Sequence, residues 1–297
     1  MELCRQCPRK CGADREGAMG YCLVPRAFRV ARAALHPWEE PEISGMRGSG
    51  TIFFCGCNLR CVYCQNREVS RARLGIELDA DALIDVMLRL QAAGAHNINL
   101  VTPTQYALQL AEVLKMAKPQ LQIPIVYNSG GYESVKTLRA LYGLVDIYLP
   151  DFKYYDSTLS LRYSGAEDYR TVATDALAEM LRQTGKPVFD ADGMLLHGTV
   201  VRHLVLPGCR HDSVKVLCHL FDTFGRDAFL LSLMSQYTPD FAKDTPYREL
   251  HRRVTSFEYQ TVLDEAERLG FGGNFQARTS ADAAYTPDFY EKSFLPR

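Results

Sequence analysis

Residues 50–64 read Gly50-Thr51-Ile52-Phe53-Phe54-Cys55-Gly56-Cys57-Asn58-Leu59-Arg60-Cys61-Val62-Tyr63-Cys64. Residues 50–55 form a short apolar run of β type, the pattern of a strand buried on both faces. Cys57, Cys61 and Cys64 follow at x3 and x2 spacing, with the aromatic Tyr63 before the last. Three thiolates so spaced can hold three corners of a cubane iron–sulfur cluster and leave one iron open to another ligand. A structural zinc site with Cys55 as fourth ligand is the rival reading, made less natural by the crowding of Cys55 against Cys57.

Outward from this loop the chain repeats one unit. Strands are predicted at 50–55, 97–101, 123–127, 145–149, 198–206 and 228–234. Helices are predicted at 79–94, 104–118, 133–142, 167–183, 212–224 and 256–270. In the first helix Leu83, Met87 and Leu90 share a face and Gly94 supplies a stop. Apolar strands alternating with amphipathic helices imply a parallel sheet with right-handed crossovers, either open and doubly wound or part of a barrel. Both bind ligands at the C-terminal ends of their strands, which is where the cysteine loop falls.

Residues 1–48 are rich in Cys, Arg, Gly and Pro and lack sustained periodicity. They read as a small Cys-rich lobe with a loop-like approach to a core at 49–240, which a helical extension at 241–297 follows. Cys4, Cys7, Cys11 and Cys22 make a full set of four thiolates, suited to zinc or to an auxiliary iron–sulfur cluster. Four ligands leave no open position, which favours a closed structural site. Cys209 and Cys218 stand apart and read as ordinary packed residues.

Bulk properties narrow the partners. The 297 residues carry a formal net charge of −1 with scattered Lys and Arg, which gives no basis for nucleic-acid or anionic-membrane binding. The longest strongly apolar stretch, 228–234, is far too short to span a bilayer, and no signal-type core follows Met1. Cytoplasmic location is the expectation, and clustered cysteines in a reducing compartment mean metal or redox chemistry rather than disulfides.

The Cys57–Cys61–Cys64 motif resembles that of radical S-adenosylmethionine (SAM) proteins, specifically the group similar to pyruvate formate-lyase activating enzymes. The resemblance implies a partial (β/α)6 TIM-like barrel with parallel strands. It also implies a [4Fe–4S] cluster that reductively cleaves SAM to a 5′-deoxyadenosyl radical for hydrogen abstraction. An electron donor of flavodoxin or ferredoxin type is implied, with a glycyl radical enzyme as candidate partner.

Other positions extend the resemblance along about two thirds of the chain. Asn128 and Ser129, before Gly130-Gly131, resemble a strand end that contacts SAM. Asp151 and Lys153 resemble an Asp-x-Lys pair near the nucleoside, and alternation points both to one side. Arg202 resembles a contact to the methionine carboxylate, a role its forked donors suit. His203 has the opposite orientation and reads as structural.

Two features depart from the group. Many radical SAM proteins carry Gly-Gly-Glu after the second strand for the SAM amino group. Here the segment runs Thr102-Pro103-Thr104, and Thr102, Thr104 and backbone carbonyls are the candidates for that work. The N-terminal cysteines are the other departure, since activating enzymes with extra clusters carry theirs after the radical motif. Gln236 and Tyr237 end the sixth strand as candidate substrate contacts. Two competing functions remain: radical modification of a small molecule or protein side chain, and a non-catalytic iron–sulfur or zinc protein.

Overall fold

A computed structural model describes residues 3–16, 19–276, 289 and 294–296. Strand β1 (Phe28–His36) leads through the one-turn helix α1 (Pro41–Ser44) to β2 (Ser49–Phe54), then α2 (Arg67–Ser70), β3 (Ile76–Leu78) and α3 (Ala80–Ala92). Next come β4 (Ile98–Val101), α4 (Ala107–Ala117), β5 (Ile125–Ser129), α5 (Val135–Arg139) and β6 (Ile147–Pro150). Helices α6 (Ser157–Ser164) and α7 (Tyr169–Thr184) precede the short β7 (Val188–Phe189) and β8 (Leu195–Leu204). The chain continues through α8 (Arg210–Phe224), β9 (Leu230–Met234), α9 (Ser256–Leu269) and β10 (Gly273–Phe275).

The sheet runs β10-β9-β8-β6-β5-β4-β2-β1-β3, and β7 pairs with β8 off this path. Along this path pairing is parallel between β2 and β10, while β1 is antiparallel to β2, β3 to β1 and the off-path β7 to β8. The six strands expected at the core are β2, β4, β5, β6, β8 and β9, joined by helical crossovers into an α/β partial barrel. Every residue of β2, β4, β5 and β6 is buried, as both-face coverage requires. Ile43 of α1 joins Val126, Ile147, Leu149, Leu195 and Val200 in a cluster that floors the barrel. Among the described residues no helix is long and apolar enough to cross a membrane.

Several boundaries differ from the sequence expectation, each for a local reason. The stretch at 28–36, read as a loop-like approach, is strand β1. Its register shifts between Val30 and Arg32, so burial moves from Phe28 and Val30 to Ala33 and Ala34 and no clean alternation survives. Strand β5 starts after Pro124, which has no N–H for the ladder, and runs past Tyr127 because Asn128 pairs with Val101 and Leu149 and Ser129 with Pro150. Helix α5 begins only after Ser134, leaving Glu133 outside it. Helix α6 was not expected: it faces the core with Ser160, Tyr163 and Ser164, a mostly polar set, and is started by Asp156, which accepts from the amides of Thr158 and Leu159. The extension expected as helical contains α9 but also β10, too short at three residues to show a period.

Candidate active site

The loop after β2 is built to present its cysteines. Gly56 has φ +80°, and a side chain there would strike the Cys22 carbonyl and Val24. Arg60 also sits at positive φ, 51°, turning the chain back so that the Cys64 amide donates to the Cys61 carbonyl at 3.2 Å. Asn58 ties the loop to the Tyr132 carbonyl at 2.6 Å, and the Val62 amide reaches the Tyr163 carbonyl at 2.9 Å.

Cys57, Cys61 and Cys64 all line one cavity of about 290 Å³ at the C-terminal ends of the strands. Cys55 does not line it; its thiol donates to the Leu74 carbonyl at 3.1 Å. That orientation counts against Cys55 as a fourth zinc ligand. Burial pushes the Cys57 thiol up to about 12, and the neighbouring Cys61 thiol adds to the rise. Burial and Cys61 likewise raise Cys64. Cys57 and Cys64, whose ionisation is disfavoured by burial and by the neighbouring Cys61, make with it a donor set that a cationic iron–sulfur core would satisfy, because metal coordination deprotonates thiols outright. Among the described residues no three Cys, His, Asp or Glu side chains are gathered closely enough for one ion. A cubane spaces its thiolates more widely, so a shared loop and wall fits it.

Opposite the loop lies a buried ionic network. Lys153 Nζ donates to Asp151 Oδ2 at 2.5 Å and Arg202 Nε to Asp151 Oδ1 at 3.0 Å. Arg202 also donates to Glu39 Oε2 at 3.2 Å and to Asn128 Oδ1 at 2.5 Å. Burial alone would raise Asp151; Lys153 and Arg202 reverse this and hold it below the usual carboxylate range. Burial works against the Lys153 ammonium, and the Asp151 carboxylate overcomes it and raises the group.

Thr102, Thr104, Asn128 and Ser129 line the same cavity. Thr102 takes a positive φ of 57°, and the Thr104 hydroxyl is engaged with buried Glu133 at 2.5 Å. Tyr63 reaches the Cys61 thiol through a string of hydroxyls. Its OH meets Tyr154 OH at 2.7 Å, Tyr154 meets Ser164 Oγ at 2.7 Å, and Ser164 Oγ donates to Cys61 Sγ at 3.0 Å. Gln236 and Tyr237 also face the cavity, whereas His203 turns away, with Nδ1 at 2.7 Å from the Phe152 carbonyl oxygen. Gly131 serves the chain itself: its missing side chain makes room for the Asp151 carbonyl.

Sequence reasoning missed Trp38, Glu39, Glu40, Ser232, Asn274 and Gln276 in the wall. Glu39 and Glu40 precede a proline in a stretch without periodicity, and nothing in a bare acidic pair distinguishes burial from solvation.

The four N-terminal cysteines gather in one lobe outside the cavity wall. Backbone bonds fold it: Cys4 amide to Ala13 carbonyl at 2.9 Å, Gly12 amide to Cys4 carbonyl at 3.1 Å, and Lys10 amide to Cys7 carbonyl at 3.0 Å. Burial pushes Cys7 up to about 12, and the Cys22 and Cys4 thiols add to this. Burial also raises Cys22, which feels Cys4 and Cys11. The thiols are thus within electrostatic reach of one another, though among the described residues no three of them converge on a single point. Cys209 is buried apart from both groups, and Cys218 donates to Glu265 at 3.1 Å.

Comparison with known proteins gives this geometry a context. The sequence profile of the Radical SAM superfamily matches residues 51–216, more than half of the chain. The uncharacterized protein MJ0674 of Methanocaldococcus jannaschii is 27% identical over 275 residues, covering 89% of this chain and 74% of that protein. The FeFe-hydrogenase maturase HydG of Carboxydothermus hydrogenoformans aligns at TM-score 0.50 and 13% identity, over 72% of this chain and 48% of that one, and speaks to the fold alone. Methylornithine synthase (PylB) aligns at 0.46 and 17%, over 70% and 58% of the two chains. The enzyme anSMEcpe with bound AdoMet and a Cp18Cys peptide aligns at 0.48 and 11%, over 72% and 56%. The chain spans about half the length of these solved structures.

Proposed function

This chain belongs to the Radical SAM superfamily, and from that membership we propose that it cleaves SAM reductively at a [4Fe–4S] cluster held by Cys57, Cys61 and Cys64. The observation that carries the reading is one cavity shared by the three thiols and by the Lys153–Asp151–Arg202 network. When bound, the cluster supplies the electron that splits SAM into methionine and a 5′-deoxyadenosyl radical.

The protein's own groups bind, orient and shield. Arg202 is the basic contact for the methionine carboxylate, which it meets by exchanging its Glu39 or Asn128 partner while Asp151 keeps hold of Nε. Lys153 and Asp151 hold the nucleoside side, and Thr102, Asn128 and Ser129 supply the remaining polar contacts. Leu59 and Tyr63 close the cysteine side against water. A flavodoxin- or ferredoxin-type protein is the electron donor in this reading.

Hydrogen abstraction from a partner's glycine, as in activating enzymes, is the finer reading that the cysteine motif suggests. For Cys4, Cys7, Cys11 and Cys22 we propose a closed structural metal site, supported by a full set of four thiols in one lobe, with Cys7 and Cys22 buried and each within electrostatic reach of others in the set.

The test of the central reading is anaerobic assay of the reconstituted, dithionite-reduced protein for 5′-deoxyadenosine. The wild type yields it and Cys61→Ala does not. No product from the wild type, or equal product from both, overturns the reading.

A further inference from the structure

Glu39 and Glu40 lie between β1 and α1, on the segment that carries Ile43 into the barrel floor. Both line the cavity, at the end away from the cysteines. The charged groups set the direction. Lys153 acts on the Cys64 thiol, Asp151 bridges Lys153 to Arg202, and Arg202 passes the chain on to Glu39. Glu39 is bound further by Asn99 Nδ2 at 3.2 Å and Asn128 Nδ2 at 3.4 Å, below the strand ends.

Glu40 is the member left over. It is 8% exposed, and its Oε2 is buried with no hydrogen-bond partner among the described residues. The Arg202 charge and the Ser232 side chain act on this carboxyl, but Arg202 makes its ion-pair contacts with Glu39 and Asp151, and Oε2 stays unmet. The cavity wall holds three carboxylates, Glu39, Glu40 and Asp151, against two cations, Lys153 and Arg202, and both cations are already engaged. A buried carboxylate is costly unless a cation or donors meet it. The orphaned atom is an acceptor, so what completes the site is a donor carrying positive charge. Two aromatic faces stand in the same wall: Phe53, buried, and Trp38, 54% exposed. Aromatic faces beside carboxylates suit organic cations.

We propose that Glu39 and Glu40 form a subsite for a protonated amine or guanidinium of the molecule from which hydrogen is abstracted. This rests on reading the same cavity as the SAM site. The cation belongs either to a small free amine or to a Lys or Arg side chain of a peptide. In both, its N–H donors meet Glu40 Oε2 while the apolar stem lies along Phe53 and Met234, leaving the reacting carbon nearer the cysteine end.

The experiment is equilibrium binding by calorimetry to the full-length, cluster-reconstituted protein with SAM, under anaerobic, unreduced conditions so that no turnover occurs. The probes are agmatine, cadaverine and acetyl-Gly-Lys-Gly-amide, with 1-pentanol as the uncharged control. At least one cationic probe binds ten-fold or more tightly than the alcohol, and Glu40→Gln weakens that binding at least ten-fold. A preference for agmatine or cadaverine assigns a free amine; preference for the tripeptide assigns a side chain. Thermal unfolding of each variant, with Glu39→Gln as a second substitution, separates lost recognition from lost folding. Cations that bind no better than the alcohol overturn the proposal. So does Glu40→Gln that weakens SAM and spares the cation, because the carboxylate would then serve SAM. Failure of the radical reading shows separately, as absence of 5′-deoxyadenosine on reduction.

Discussion

Arg9 of the cysteine-rich lobe donates through Nε to the carbonyl of Asn58, one residue past Cys57, at 2.7 Å. The same guanidinium donates to the carbonyls of Ser164, at 2.9 Å, and Gly165. One side chain thus joins the lobe, the cluster loop and the end of α6. Gln105 reinforces the junction from below, its Nε2 donating to the carbonyls of Cys55, Gly56 and Thr102.

Removing the Arg9 clamp is expected to loosen the cluster loop. Hydrogen bonds from a charged group contribute about 1.5–3 kcal/mol each where well shielded, and this group is half-buried, so Arg9→Ala is expected to cost about 2 kcal/mol. The reconstituted variant should also lose its cluster absorbance in air several times faster than the wild type. Bleaching at the wild-type rate would show that the lobe does not steady the loop.

The two cysteine sets are expected to load independently. Cys57→Ala, Cys61→Ala and Cys64→Ala combined should strip the cluster and keep the N-terminal metal, whereas Cys7→Ser should lose the N-terminal metal and lower the melting temperature. Elemental analysis of iron and zinc in each purified variant decides it. An equal loss of all metal in both would mean that the sets do not bind separately.

Asp151→Asn should destabilise the fold by about 3 kcal/mol, since it leaves Lys153 and Arg202 in a buried place without their shared anion. SAM affinity should fall at least ten-fold in the same variant. Urea unfolding and equilibrium dialysis provide the two readings. A stability change under 1 kcal/mol would mean that water reaches the network.

Glu133 makes stability depend on pH. It is buried and accepts from Thr104 and Tyr127, and burial raises its carboxyl to about 7 from 4.5. The folded chain therefore keeps a proton that the unfolded chain releases near 4.5. Stability contributed this way is full below about 4.5 and is lost as pH rises to about 7, an upper bound of about 3 kcal/mol. Glu133→Gln cannot titrate, so its stability relative to wild type should increase between pH 5 and pH 8 in urea unfolding. A constant difference across that range would rule out this titration.

Much of this was legible because apolar runs report burial. Strands β2, β4 and β6 are buried on both faces and so read as continuous apolar runs near 50–55, 97–101 and 145–149. The cysteine spacing placed three thiols on one loop, and Asp151 and Lys153 meet Arg202 because the pair follows β6 and Arg202 lies on the neighbouring parallel β8, bridged to Asp151. Strand β1 was hidden by its bulge, and α6 by serines facing the core. Glu39 and Glu40 were hidden for a different reason: their burial depends on the path of a turn-rich segment into the barrel, and a carboxylate carries no local mark of the partners it will meet. Glu133 reads as part of a helix because nothing in Tyr132-Glu133-Ser134 shows that Thr104 and Tyr127 will close around it.

The segment from Trp38 to Ile43 builds the floor of the cavity from outside the stretch, 51–216, that the family shares. The cysteine loop and the floor of the chamber beneath it are thus carried by separate stretches of the chain. Exchanging residues 37–44 between relatives would alter what the chamber admits, and the Glu39 contact to Arg202 with it, while leaving the cysteine loop and the Lys153–Asp151–Arg202 bonds in place, a modular route by which one chemistry can be turned to new molecules.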